Sequence, residues 1–313
     1  MNLDLSLQSF FVPLWFLILG VPMILVGILV LISTGIINLI KKDSQRFFKK
    51  LSIKLQEKRK NWSKAKKDTL RKVNHVLLFL GLLFVWYIGL VIVNFFSGSS
   101  TGMIPEENNM FLLYLRILSE PYSIKNVLFS LGWFYYILFF FFYIMSMFML
   151  SNEFARKSKR FAFPFIFFPK IYLSEKEKQN YGTYLYFSIG QMFAAFICPP
   201  MVFFMILGTG SISDLMTSQI GIRFGKSHIR WNQNKTWEGT IAGTIVTLVI
   251  GFLFMGFYWS LIFAVVFLLI DIFTAKPFDI SDNLLIPISF SLIYLFIRYF
   301  FNLDYYTIII FWI

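Results

Sequence analysis

The feature that most constrains this chain is a succession of apolar blocks, each near the ~20 residues that cross a hydrocarbon core as a helix. Eight such spans can be drawn, at 10–40, 76–96, 126–150, 183–198, 200–222, 240–257, 259–274 and 284–301. Their apolar residues run continuously instead of alternating, which excludes an outer-membrane barrel and predicts an all-α, polytopic transmembrane bundle. Composition agrees: of 313 residues 58% are hydrophobic and 14% charged, too apolar for a soluble domain of this size. The lone Cys198 falls inside a span and excludes an internal disulfide. No basic segment precedes the first apolar block, so that block is expected to be a retained span and not a cleaved leader.

Residues 183–222 read as two spans because Pro199 and Pro200 interrupt them where a helix loses backbone hydrogen bonds. With a turn there, the segments 41–75, 151–182, 223–239 and 275–283 share one side and hold 26 of the 29 Lys and Arg residues. Basic flanks mark the cytoplasmic side. Both termini are then expected on the opposite, non-cytoplasmic side, and the membrane is the endoplasmic reticulum in a eukaryote or the plasma membrane in a prokaryote. The formal charge of +13 is concentrated in 41–75, with fourteen basic and three acidic residues. There Phe48, Leu51, Leu55 and Trp62 recur at helical spacing among lysines. This pattern suits either a helix lying on anionic lipid or a solvated loop that sets topology. Nucleic acid is not an expected partner.

Polarity inside the apolar blocks is lopsided. The first three spans hold no ionisable residue, whereas Asp214 lies well inside the fifth and Asp271 near the cytoplasmic end of the seventh. The chain therefore divides into an N-terminal membrane module, 1–150, with three spans and the basic segment, and a membrane domain, 151–313, that carries the chemistry. Asp214 is about 12 Å from the helix end at ~1.5 Å per residue. An unpaired carboxylate at such depth costs at least ~2.5 kcal/mol, so a cavity, an ion or a partner is expected beside it. Ser211, Asp214, Thr217, Ser218, Gly221 and Gly225 follow three- and four-residue spacing, as a polar stripe lining a cavity or as a close helix crossing would.

Lys226, His228 and Arg230 follow, then Asn232 to Gly239 at the expected start of the next helix. Lysine and free amides at a helix N-terminus suit a phosphate, although Lys235 also suits a lysine snorkelling to the membrane boundary. Glu238 complements the helix dipole or holds a divalent cation. Asp282 opens the last span as an N-cap or as a second acid beside Asp214, and two carboxylates suit Mg²⁺ on a nucleotide's phosphates, with Asp271 as a third.

Three motifs stand in order: Asp214-Leu-Met-Thr-Ser-Gln-Ile-Gly221 through Gly225-Lys226, Asn234-Lys-Thr-Trp-Glu-Gly-Thr240, and Asp282-Asn-Leu-Leu-Ile-Pro287. Together they resemble the CTP-dependent polyprenol kinases, dolichol kinase above all. Glu175 to Gly182 with Tyr186 and Gly190 resembles the related CTP-dependent diacylglycerol kinases, and Asn232 to Lys235 is shared with phytol kinases. The resemblance covers about 150–300. Ser213 stands where the family has Gly, and Thr217 where Ala is frequent. Lys235 to Gly239 is also similar to phosphatidate cytidylyltransferases, whose C-terminal Gly-His-Gly-Gly and Asp-Arg this chain lacks. A secondary transporter is the non-enzymatic alternative.

The resemblance implies transfer of the γ-phosphate of CTP to dolichol or another polyprenol. The implied partners are a lipid alcohol and a nucleotide, and the implied cofactor is Mg²⁺ or another divalent cation. It further implies catalytic roles for Asp214, Lys235 and Glu238. Nucleotide contacts would come from Gly221, Gly225, Lys226, Asn234, Lys235, Thr236 and Asn283, and metal ligands from Asp214, Asp282 and Asp271.

Overall fold

The computed structural model describes residues 61–97, 133–158, 180–274 and 281–309, with isolated positions between 24 and 57. Most of the expected first span and most of residues 41–60 in the basic segment lie outside the described residues. Among the described residues seven helices follow in order: α1 (Lys64–Ser97), α2 (Trp133–Ser158), α3 (Thr183–Ile197), α4 (Pro200–Phe224), α5 (Trp237–Met255), α6 (Phe257–Phe273) and α7 (Asp282–Phe301). Four of them, within Lys64–Gly89, Pro200–Phe224, Trp237–Met255 and Asp282–Phe301, are long and apolar enough to cross a membrane. The chain is a mostly helical membrane protein.

The paired prolines break the helix where expected. Cys198 ends α3 in an extended conformation, Pro199 caps α4, and Pro200 takes its first position, where the missing N–H costs nothing. Every residue from Pro200 to Gly208 is buried, so α4 is the central post of the bundle. Phe203, Phe204 and Met205 pack there against Trp86 of α1, Phe142 of α2 and Phe254 of α5. Helices from both sides of residue 150 thus share one core, and the division at 150 falls within α2.

Two turns fix the remaining geometry. Gly256 joins α5 to α6 with a φ of 85°, a value that side chains with a Cβ rarely adopt. Pro287 lies inside α7, so Asn283 O has no amide four residues on. The backbone of α3 approaches at that point, and a Cβ at Gly190 would fall 2.8 Å from Asn283 O.

A small sheet departs from the all-α expectation. Strands β1 (His228–Ile229) and β2 (Asn232–Thr236) form an antiparallel hairpin between α4 and α5. Its polar residues give no apolar alternation, and it is pinned by the Asn232 side chain donating to Ile272 O of α6 at 3.3 Å. Lys235 therefore sits on a strand, and Thr236 is the N-cap of α5, its hydroxyl accepting from Gly239 N at 3.3 Å.

Candidate functional site

The path of α4 changes just before its carboxylate. Thr209–Ser213 winds as a π-helical turn, and Asp214 N donates to Thr209 O, five residues back. Such turns insert an extra residue and re-aim the side chains that follow. Asp214 is thereby buried at the centre of the bundle, and its partner comes from α1: Lys72 Nζ lies 2.6 Å from Asp214 Oδ1 and donates to Asp214 O at 2.9 Å. Both side chains are less than a tenth exposed. Around this pair, Asp68 receives Arg71 at 3.1 Å, and Gln219 Nε2 donates to Asp68 and to Ala65 O, tying α4 back to the start of α1.

A second ion pair stands beside the first. Lys235 Nζ donates to Asp271 Oδ1 at 2.5 Å and approaches Asp282 Oδ2 at 3.5 Å, while Thr240 donates to the other Asp271 oxygen at 2.6 Å. Burial by itself would push the Lys235 ammonium down. Asp271, Asp282 and Asp214 more than reverse this and hold it above the ordinary lysine value. Lys235 is thus a cation across the whole physiological range. Asp214, Lys235, Asp271 and Asp282, drawn from four separate stretches, lie in one charged cluster.

Other expected residues do different work. Gly221, Gly225 and Thr217 form a close crossing of α4 with α5: a Cβ at Gly221 would stand 2.9 Å from Thr236 Oγ1, and one at Gly239 would stand 2.5 Å from Thr217 O. At Gly221 and Gly225 the Thr236 side chain occupies the space beside the helix, so both serve the packing of α4 against the start of α5. Glu238 accepts from the backbone amides of Lys226 and Ser227 at 3.2 and 3.0 Å, so its carboxylate closes the loop ahead of the hairpin. The Lys226 and Asn234 side chains are exposed, and His228 pairs with Gln233 O within the hairpin. Thr236 is spent on its cap. Asn283 N donates to Asp282 Oδ1 at 3.0 Å, so Asp282 serves the first turn of α7 with one oxygen and faces Lys235 with the other.

Among the described residues no group of three His, Cys, Asp or Glu side chains could hold a metal alone. Magnesium does not require one, since it takes one or two carboxylates and completes its shell from phosphate and water. Asp282, with its side chain 28% exposed, fits that part. So does Asp214, whose second oxygen has no hydrogen bond among the described residues. Asp271 is the most enclosed of the three, its side chain 3% exposed, with Lys235 at one oxygen and Thr240 at the other.

Sequence reasoning missed Lys72, Asp68 and His75. Lys72 looked like one more residue of a basic, topology-setting tract, and α1 in fact begins at Lys64, well before the expected span at 76. The available signal was spacing: Asp68, Lys72 and His75 are four and three apart and lead straight into an apolar helix. Comparison of the chain with protein-family models, with curated proteins and with solved structures finds no match.

Proposed function

We propose that this chain is a lipid-alcohol kinase that transfers the γ-phosphate of CTP to the hydroxyl of dolichol or another polyprenol at the cytoplasmic membrane face. The observation that carries the reading is the meeting of Asp214, Lys235 and Asp282 in one cluster, each from a different one of the three motifs that resemble polyprenol kinases. Phosphoryl transfer asks a protein mainly for positioning and for neutralisation of charge, and paired acids with a permanent cation supply both. Lys235 is held firmly by Asp271 and loosely by Asp282, so a nucleotide phosphate can replace Asp282 at the ammonium while Asp271 and Thr240 keep the side chain in place. Asp282 and Asp214 would hold a divalent cation, which supplies neutralisation of the developing phosphate charge. Lys72 fixes the Asp214 carboxylate in orientation and offsets its burial.

The topology we propose has eight spans with both termini on the non-cytoplasmic side. The basic loops and the cluster then share the cytoplasmic face, where nucleotide arrives from water and the alcohol from the bilayer. The preference for CTP and for a polyprenol comes from the resemblance alone. The test is Asp214→Asn in purified protein with CTP, Mg²⁺ and a panel of lipid alcohols. Phosphate transfer per folded molecule should fall at least ~100-fold, about 2.7 kcal/mol in barrier, with membrane insertion unchanged. Retained transfer across a Mg²⁺ titration would remove Asp214 from the mechanism.

A further inference from the structure

Gln191 lies on α3 at zero exposure, and neither its amide nitrogen nor its amide oxygen has a hydrogen-bond partner among the described residues. A buried amide without partners is unfavourable, and Leu or Met of similar size would fill the same space without that cost. Its surroundings form a closed circuit with the charged cluster. One turn before Gln191 on the same face of α3, Phe187 stacks on His75 of α1 with centroids 3.9 Å apart and 13° between planes. His75 follows Lys72 by three residues, and Lys72 binds Asp214. Asp214 follows Gly210 by four residues on α4, and a Cβ at Gly210 would lie 3.3 Å from Gln191 Nε2. The circuit thus returns to its start.

Within that circuit His75 Nδ1 is also buried and without a partner among the described residues, as is Ser211 Oγ beside Gly210. On the neighbouring turn of α3, Gly190 packs against Asn283 O and Pro287 of α7, close in sequence to Asp282. Unused donors and acceptors are therefore grouped around the acid that the kinase reading makes essential.

We propose that Gln191 is the residue that receives the hydroxyl group of the lipid alcohol and selects for it, an inference that rests on the kinase reading. An amide donates from nitrogen and accepts at oxygen, so it can satisfy both hydrogen-bonding functions of one hydroxyl. Gln191 is eight residues into α3, about 12 Å along the axis at ~1.5 Å per residue. That depth suits a group arriving on an apolar tail. His75, stacked on Phe187 and with Nδ1 unpartnered among the described residues, borders the same group of side chains from α1.

The experiment compares wild type with Gln191→Leu, each purified in detergent and checked for monodispersity, since removal of an unpartnered amide should leave the fold intact. Two readouts are taken. The first is the thermal shift produced by geranylgeraniol, by the matching hydrocarbon without the hydroxyl, and by CTP. The second is KM for geranylgeraniol and for CTP. Wild type should be stabilised by the alcohol and not by the hydrocarbon. In Gln191→Leu that shift should vanish and KM for the alcohol should rise about tenfold, a modest figure for two neutral hydrogen bonds. The CTP shift and the KM for CTP should not move. An unchanged alcohol shift and KM in Gln191→Leu would overturn the proposal and leave Gln191 with a bound water only. An alcohol-specific shift lost in the variant, in a protein that transfers no phosphate, would instead sink the kinase reading and keep the alcohol site. Active wild type with an unaffected variant would do the reverse.

Discussion

Replacing Lys72 by Met should be among the most damaging single changes in the described part of the chain. The pair with Asp214 spans 2.6 Å with both side chains below a tenth exposed, and Met keeps most of the lysine stem while removing the charge. Coulomb attraction at that distance is roughly 6 kcal/mol at an effective dielectric of about 20, before the desolvation of both ions is subtracted. Breaking a buried pair by deleting one partner costs about 3–5 kcal/mol, because the other charge is left uncompensated. The loss should therefore be about 3 kcal/mol or more. The assay is denaturant unfolding of the detergent-solubilised protein, run on Lys72→Met, Asp214→Asn and the double variant. If charge compensation is the reason for the loss, the double variant should recover most of it, with a coupling of about 2 kcal/mol or more, beyond what independent sites show. Stability losses that simply add, or a Lys72→Met cost below about 1 kcal/mol, would refute the reasoning.

Asp271→Asn should leave Lys235 present but loosely held, so transfer should fall by about tenfold to a hundredfold with a raised KM for CTP, read by steady-state kinetics. An unchanged KM would argue that Lys235 does not meet the nucleotide. Gly239→Ala places a Cβ 2.5 Å from Thr217 O across the α4–α5 crossing, a backbone atom that cannot swing away, and should cost about 1–3 kcal/mol in unfolding with KM unaffected in the folded fraction.

The bundle was legible because its signals are local. Apolar blocks located the helices, and Pro199–Pro200 located the break between α3 and α4. The acids of the site were legible for a related reason: a carboxylate among apolar residues, such as Asp214 or Asp271, stands out by its cost. Its partner was not. Lys72 and Asp214 are separated by 142 residues, and a lysine at the end of a basic tract has no local mark that distinguishes pairing from solvation. The hairpin escaped because Asn232 to Thr236 is held by contacts to α6 and to the loop ahead of it, against the weak strand preference of Asn and Lys. For Gly221 and Gly225 the sequence offered two readings of one spacing, and only the position of the facing Thr236 bears on the choice between them.

The most direct test of the account follows the isotope. Purified protein is incubated with Mg²⁺, a polyprenol and CTP labelled with ³²P at either the γ or the α position, and the lipid product is extracted and counted. A lipid-alcohol kinase moves label from the γ position into a polyprenyl phosphate, leaves α label in soluble CDP, and loses the reaction when Asp214 is changed to Asn. Lipid that carries the α label, or lipid that carries neither label over a full range of alcohols and Mg²⁺ concentrations, would contradict it.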